Sequence, residues 1–146
     1  MSNFIYIRLM KTDDADIPQI AAAYQLKEIV RYINIGEQYF DYVTDNENVY
    51  FYKVYEGEIL IGTVHLEKQQ DILFMSIVNF PEYQRADRGT RILTDIQTDA
   101  FGLGFERIEV SIDQTNIASI RLFEKAGFVF VSQEDELKNY VWQKAK

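Results

Sequence analysis

The spacing of apolar residues changes along the chain between period two and helical spacing, and these changes delimit the predicted elements. Short β-branched and aromatic runs predict seven strands, at Phe4–Leu9, Val49–Tyr55, Ile59–Leu66, Ile72–Asn79, Phe105–Ile112, Phe128–Val131 and Asn139–Gln143. Polar turns at residues 56–58 and 69–71 separate the second, third and fourth runs, which indicates an antiparallel meander.

Helical spacing predicts about four helices between these strands. They are a segment with Ile17, Ile20, Ala21 and Tyr24, an aromatic segment near Gly36–Val43, a stripe of Ile92, Leu93, Ile96, Ala100 and Phe101, and Asn116–Ala126. The order βααβββαβαββ predicts an α/β (α+β) fold with a mixed, mostly antiparallel central sheet and helices on its faces. Ligands of such sheets tend to lie where the strand order or direction switches.

Composition narrows the class of protein. The 146 residues are 47% hydrophobic and 14% aromatic, which predicts a single packed domain over residues 1–146. The chain has no cysteine and one histidine, His65, which excludes disulfides, a cysteine nucleophile and a multi-histidine zinc site. We therefore expect no metal.

The charge and the ends of the chain indicate where the protein works. The net charge of −8 would repel an anionic duplex or bilayer, so we expect neither nucleic acid nor membrane as a partner. The longest apolar run, Ile72–Phe80, is far shorter than the ~20 residues of a membrane span. Residues 1–9 lack a basic segment and a cleavage site, so a soluble cytoplasmic protein is expected.

The loop after the fourth predicted strand carries the first candidate site. Gln84, Arg85, Ala86, Asp87, Arg88 and Gly89 lead into Thr90 and Arg91 at the start of an amphipathic helix. The first N–H groups of a helix and its dipole attract anions, and three arginines here suggest phosphate binding. An ordinary loop with solvated arginines is the alternative, and this segment alone does not separate the two.

A second segment follows the fifth predicted strand. Asn116 has the chemistry of a helix N-cap and Gly127 that of a C-cap, with Leu122, Phe123 and Ala126 facing a core. Local structure alone would account for all of these residues.

Together the two segments resemble the GCN5-related N-acetyltransferases (GNAT). In that family Gln or Arg, two variable residues, Gly, a variable residue and Gly or Ala form the loop around the acetyl-CoA pyrophosphate. Residues 84–89 match this pattern except that Asp87 replaces the first Gly. The later family motif is matched at Asn116, Ser119, Leu122, Phe123, Glu124, Lys125, Gly127 and Phe128.

Two departures from the family pattern concern the cofactor and the leaving group. Asp87 adds a carboxylate beside the expected pyrophosphate, where it would either pair with Arg85, Arg88 or Arg91 or weaken binding. Phe123 stands where many family members carry a Tyr that protonates the leaving thiolate, and Phe cannot donate a proton.

The resemblance implies acetyl transfer from acetyl-CoA to a primary amine by direct attack. It implies that the main chain of Ile77, Val78 and Asn79 holds the pantetheine arm and stabilises the oxyanion, and that residues 84–90 with Asn116, Ser119 and Phe123 complete the cofactor site. Acetyl-CoA is then the co-substrate, and a small-molecule or peptide amine is the acceptor.

Several residues are candidates for proton transfer. An amine with a lysine-like pKa of ~10.4 needs a base, and His65, Glu67, Ser76 and Asn79 are the candidates, the last two through a water. Tyr140 is a candidate donor in place of the missing tyrosine. An ordinary packed or surface role is the alternative for His65 and for Tyr140.

The acceptor is expected to contact the first two predicted helices and the last hairpin. Aromatic and acidic residues that could hold a cation there are Tyr24, Tyr32, Tyr39, Phe40, Tyr42, Glu37, Asp41 and the turn 134–136. Core packing of the rings and solvation of the carboxylates is the alternative. The acceptor itself remains open among a polyamine, an antibiotic, an amino acid and a protein N-terminus.

Two further hypotheses of function are alternatives to an enzyme. Asp87 and Phe123 also fit a non-catalytic CoA-binding or regulatory module, or a protein of this fold that no longer binds CoA. Family members are often monomers or homodimers, and the sequence does not decide between these states.

Overall fold

The computed structural model describes residues 4–84 and 87–145. Its strands are β1 (Phe4–Arg8), β2 (Val49–Glu56), β3 (Ile59–Gln69), β4 (Ile72–Asn79), β5 (Arg107–Asp113), β6 (Val129–Glu134) and β7 (Leu137–Gln143). Its helices are α1 (Ile17–Tyr24), α2 (Lys27–Val30), α3 (Tyr39–Asp45), α4 (Arg88–Gln97) and α5 (Ile117–Lys125), with a 3-10 turn at Pro81–Tyr83.

The strands form one seven-stranded sheet in the order β1-β2-β3-β4-β5-β7-β6. Every neighbouring pair is antiparallel except β4 and β5, which are parallel. This confirms the predicted mixed, mostly antiparallel sheet. Five helices lie in the described part of the chain, one more than predicted, because the short helix α2 forms where the sequence predicted none.

Helix α4 is shorter than its apolar stripe predicted. It ends at Gln97, and Asp99 takes a left-handed conformation with φ 56°. The Asp99 carboxylate then accepts the backbone N–H groups of Leu103 and Gly104. Phe101 therefore lies beyond the helix, where its ring packs 4.4 Å from that of Tyr52.

Two hydrophobic cores cover the two faces of the sheet. Helices α4 and α5 pack over one face, where Ile92, Leu93 and Ile96 meet the inward residues of β3, β4 and β5. Helices α1, α2 and α3 cover the other face, but only over the half of the sheet around β2, with Ile20, Tyr24, Val43 and Phe51 in that core. In the described part of the chain, no helix is long and apolar enough to cross a membrane.

A buried cation fastens α1 to the sheet. Lys53 on β2 is 6% exposed, and its ammonium group bonds the carboxylates of Asp14 and Asp16 at 2.8 and 3.0 Å. The Tyr55 hydroxyl donates to Asp16 as well. The bonds from Tyr55 and Lys53 hold the pKa of Asp16 below its usual range. Burial alone would lower the pKa of Lys53, but the two carboxylates outweigh it and raise that pKa.

Candidate active site

The sheet splits between β4 and β5. The two strands pair only where Ile72–Phe74 meets Arg107–Glu109. Beyond these pairs the described residues of the two strands make no further pairing, and a cleft of about 790 Å³ opens between them. Backbone groups on that side of β4 are therefore available to a ligand, because no strand satisfies them.

The cleft brings together most of the predicted cofactor residues. Its lining includes Ser76, Ile77, Asn79, Gln84, Asp87, Gly89, Thr90, Asn116, Ser119 and Phe123. These residues come from β4, the following loop, α4 and α5. Arg85 and Ala86, also predicted for this site, lie outside the described residues.

Two helices begin at the cleft wall. Gly89 and Thr90 belong to the first turn of α4, which has no side-chain cap among the described residues. Asn116 caps α5, where its side-chain oxygen accepts the N–H of Ser119 at 3.3 Å. Uncapped N–H groups and two helix dipoles favour an anion at this wall.

Asp87 takes the backbone conformation that the resemblance assigns to glycine. Its φ of 57° and ψ of 24° lie in the left-handed region, and its side chain is exposed. Aspartate is among the few non-glycine residues that enter this region. The loop therefore keeps a glycine-like backbone, and the replacement adds a carboxylate at the cleft.

Gly89 is closely packed beside the cleft. A Cβ at this position would lie 3.3 Å from Leu122 Cδ2 and 3.6 Å from Asn79 Nδ2. The Asn79 side-chain oxygen is buried and has no hydrogen-bond partner among the described residues. This oxygen lies toward β3, 3.2 Å from the position of a Cβ on Gly62, and the side-chain nitrogen faces Gly89. The unpaired edge of β4 and the helix N-termini fit the amide-rich arm and pyrophosphate of CoA.

Arg88, predicted to bind the cofactor, lies against β2. It donates to Glu56 Oε1 from Nε at 3.0 Å and from a terminal nitrogen at 2.9 Å, and it is absent from the lining of the cleft. Arg91 bonds the other oxygen of Glu56 at 3.1 Å. The arginine bonds, those of Arg88 first, hold the pKa of Glu56 below its usual range. These arginines fix α4 relative to the sheet.

His65 and Glu67, predicted as candidate bases, lie on the face covered by α3. Nε2 of His65 is 2.9 Å from Glu67 Oε1, and Nδ1 is 2.6 Å from the Tyr39 hydroxyl. Tyr42 also donates to Glu67 Oε1 at 2.7 Å. Both side chains lie outside the cleft lining, and His65 pairs across the sheet with Ser76, which lines it.

Tyr140, the candidate proton donor, is buried on β7. Its hydroxyl lies 3.3 Å from Glu124, and it lines a second cavity of about 430 Å³. The two cavities share Met75, Val110 and Ser111 as walls. Burial and Glu124 raise the pKa of Tyr140. A raised pKa keeps the proton on the hydroxyl.

The side chain of Val78 packs into the α1–α3 core, so only its main chain could serve the site. Phe123 packs edge-to-face on Phe128 at 5.0 Å. Of the aromatic residues expected at the acceptor, Tyr24 is fully buried, and burial raises its pKa to about 12. Tyr32 lines the main cleft, and Tyr42 is 44% exposed.

Sequence analysis missed several walls of the cleft. Glu28 lies in α2, and Arg31 is the residue at its C-terminal end. Ser111 and Asp113 lie at the end of β5 that does not pair with β4. The alternation of β5 places Ser111 and Asp113 opposite Ile108, Val110 and Ile112, but nothing local showed that β5 would separate from β4. Among the described residues, no group of three or more His, Asp or Glu side chains could hold a metal ion.

Comparisons with known proteins agree with this geometry. Residues 16–128, more than half of the chain, match the model of the Acetyltransferase (GNAT) family. The fold resembles the Vibrio cholerae spermidine N-acetyltransferase solved with CoA and spermine, with a TM-score of 0.81, 17% identity, and 99% and 97% of the two chains covered. It also resembles the Campylobacter jejuni N-acetyltransferase PseH in complex with acetyl coenzyme A, with a TM-score of 0.78, 12% identity, and coverage of 97% and 99%.

A third similar structure is the aminoglycoside acetyltransferase AAC(6')-Ib with coenzyme A and kanamycin, at a TM-score of 0.78 and 17% identity, covering 97% and 95% of the chains. A search of curated protein sequences gave no significant match. The split sheet with two helix N-termini at its cleft is that of an acetyl-CoA-dependent acyltransferase. The chain belongs to the GNAT acetyltransferase family.

Proposed function

We propose that the protein transfers the acetyl group of acetyl-CoA to a primary amine by direct attack in a ternary complex. The observation that supports this most is the cleft at the β4–β5 split, which is lined by α2 from one face of the sheet and by α4 and α5 from the other. Acetyl-CoA and the amine could therefore bind at the same time and meet at the split. They need not bind one after the other at a single site.

Each part of the chain has a role in this proposal. The first turns of α4 and α5 bind the pyrophosphate, and the unpaired edge of β4 from Ser76 to Asn79 orients the pantetheine arm. Backbone N–H groups of β4 stabilise negative charge on the carbonyl oxygen. The thioester supplies an activated acetyl group with a fair leaving group. The missing tyrosine at Phe123 therefore does not prevent transfer.

We further propose that the acceptor is a cationic amine. The protein carries −8 net charge, and Glu28, Asp113 and Glu134 line the two cavities together with Arg31. Opposite charge raises the local concentration of such a substrate. The similar structures were solved with spermine and with kanamycin, which are both polycationic amines.

Steady-state kinetics test the reaction. The purified protein is mixed with acetyl-CoA and a panel of a polyamine, an aminoglycoside, amino acids and a peptide N-terminus, and thiol release is followed. Direct attack predicts that CoA thiol is released only when an amine is present. It also predicts intersecting lines in double-reciprocal plots of initial velocity against the two substrates. Parallel lines would indicate a covalent acetyl-enzyme, and binding of CoA without release for any amine would favour the non-catalytic module.

The variant Gly89→Asp tests whether the cofactor binds in the cleft. The new carboxylate would lie beside Leu122 and Asn79, where it repels the pyrophosphate. Because an acidic residue in the first turn suits the helix dipole, folding should be preserved. We expect loss of acetyl-CoA binding, whereas Gly36→Asp, at an exposed site with nothing within 4 Å of a Cβ, should leave it unchanged. Full affinity in Gly89→Asp would place the pyrophosphate elsewhere.

A further inference from the structure

A chain of hydrogen bonds fixes the state of the imidazole on β3. An ionised carboxylate only accepts hydrogen bonds, so the 2.9 Å contact with Glu67 requires the proton on Nε2 of His65. In the neutral ring Nδ1 is then an acceptor, and the Tyr39 hydroxyl must donate to it across 2.6 Å. Tyr39 therefore selects the tautomer in which His65 donates to Glu67.

Tyr39 is suited to this task because it keeps its proton. Burial raises the pKa of its hydroxyl, and the neighbouring Tyr24 raises it further. The rings of Tyr39 and Phe51 also enclose the imidazole, with centroids 5.6 and 6.2 Å from its own. The ring of His65 is thus held by packing as well as by both nitrogens.

The same chain leaves one oxygen of Glu67 available. Oε1 accepts from His65 at 2.9 Å and from Tyr42 at 2.7 Å. Oε2 has no hydrogen-bond partner among the described residues. The Glu67 side chain is 25% exposed, so it is accessible to water or a ligand.

The position of Glu67 in the sheet brings it near the split. Its partner across β3 and β4 is Phe74, which lines the second cavity, and His65 faces Ser76, which lines the main cleft. Opposed residues of an antiparallel pair lie on one face with Cβ atoms ~5 Å apart. Glu67 therefore lies one strand away from the end of the β4–β5 pairing, on the same face as Phe74 and Ser76.

We infer that Glu67 accepts the proton of the incoming amine through Oε2, directly or across one water, and that His65, Tyr39 and Tyr42 hold its carboxylate in position. This assignment rests on the proposed acetyl transfer. His65 is a positioning residue rather than the base, because both of its ring nitrogens are already hydrogen-bonded. To accept a proton at Nδ1, the ring would need the Tyr39 hydroxyl to turn its own proton away and become the acceptor.

The proton balance is as follows. The ammonium gives one proton to Glu67, and the free nitrogen bonds to the acetyl carbon. As the carbon–sulfur bond breaks, the sulfur leaves with the bonding pair and takes the second proton from the nitrogen. The products are the acetamide and the thiol, and Glu67 releases its proton to solvent.

Kinetics of three variants test the assignment. Glu67→Gln should lower kcat about 100-fold, the scale of general base catalysis, with the Kd for acetyl-CoA unchanged. Glu67→Ala should be equally slow, and added formate should restore part of its rate. Tyr39→Phe should lower kcat roughly tenfold through misplacement of the carboxylate. Tyr52→Phe, on the opposite face of the sheet, is the matched control and should behave as wild type.

The imidazole gives a second measurement that does not depend on activity. Because His65 is the only histidine, its ring ¹⁵N signals are identified without assignment. The Nε2–H tautomer should dominate in the wild type and in Tyr52→Phe, and both tautomers should be present in Tyr39→Phe.

Three results would overturn the inference. An Nδ1–H tautomer in the wild type would contradict the hydrogen-bond chain. A Glu67→Gln enzyme with near-normal kcat on an amine that the wild type acetylates would overturn the base assignment alone. A wild type that binds acetyl-CoA and acetylates no amine would overturn the proposed function, and the role of Glu67 with it.

Discussion

At the scale of single residues, the shape of the cleft depends on two backbone positions. Gly62 on β3 faces Asn79 of β4, and a Cβ there would lie 2.2 Å from the Val78 carbonyl oxygen. Asp87 holds a left-handed conformation at the start of α4. Gly62 has no space for a side chain. Asp87 carries one, at some cost in conformational free energy.

Asp87→Gly should both stabilise the protein and strengthen cofactor binding. Removing a side chain from the left-handed region should raise the free energy of unfolding by ~1 kcal/mol, and Tm by about 3 °C. Loss of the carboxylate should lower the Kd for acetyl-CoA. Asp135→Gly, with φ 54° in the last hairpin, should give the stability gain without the affinity gain. Equal or weaker acetyl-CoA binding by Asp87→Gly would show that the carboxylate does not repel the pyrophosphate.

Gly62→Ala should destabilise the protein by about 3 kcal/mol, because β3 and β4 must separate to admit the methyl group. Urea denaturation measures the change. Gly36→Ala, where a Cβ meets nothing within 4 Å, should change stability by less than ~1 kcal/mol. Similar stability of the two variants would mean that the strands do not approach so closely at Gly62.

The sequence could show the chemistry of these residues but not their geometry. The family pattern located the loop and identified Asp87 as a departure from it, and the structure adds that the backbone conformation survives. Gly62 has no local signal, since its constraint comes from a carbonyl sixteen residues away on another strand. The same holds for Tyr39, whose bond to His65 crosses from a helix to the sheet.

At the scale of elements, β2 fastens helices to both faces of the sheet. Lys53 bonds the segment before α1 through Asp14 and Asp16, and Glu56 bonds α4 through Arg88 and Arg91. The spacing of apolar residues predicted most strands and helices, because it reports which side of an element is buried. It could not predict these ion pairs, since each joins residues more than thirty positions apart.

Lys53→Met should lower the free energy of unfolding by about 2 kcal/mol at pH 7. Removing one partner of a fully buried ion pair lowers the free energy of unfolding by more than this. The expected loss is smaller here because the carboxylates of Asp14 and Asp16 keep partial access to water. Because the folded pKa of Asp16 is lowered, its stabilising contribution is present above the unfolded pKa of ~3.9 and is lost as pH falls through the folded value. The folded pKa of Lys53 is raised, so its contribution is present below ~10.4 and is lost as pH rises through the folded value.

Denaturation curves at several pH values test this prediction. The gap between wild type and Lys53→Met should be full near neutrality and should narrow below about pH 4. Lys11→Met, at an exposed position on the preceding segment, is the control and should match wild type. A gap that persists unchanged at pH 3 would mean that the lysine contributes through packing of its alkyl chain.

At the scale of the whole molecule, the separation of β4 from β5 creates the cleft that forms the candidate site. The sequence predicted the strands, the class of fold and some of the residues that line the cleft. It could not predict the separation, because residues of both strands pack into the same core and nothing in their alternation marks where the pairing stops. We propose that this cleft binds acetyl-CoA despite Asp87.

Calorimetric titration of the wild-type protein with acetyl-CoA, in buffer without phosphate, tests that claim most directly. We predict one site per chain with a micromolar Kd, abolished in Gly89→Asp and tightened in Asp87→Gly. No binding at millimolar acetyl-CoA would contradict the account, since the cleft would then keep the shape of the family's cofactor site without its function.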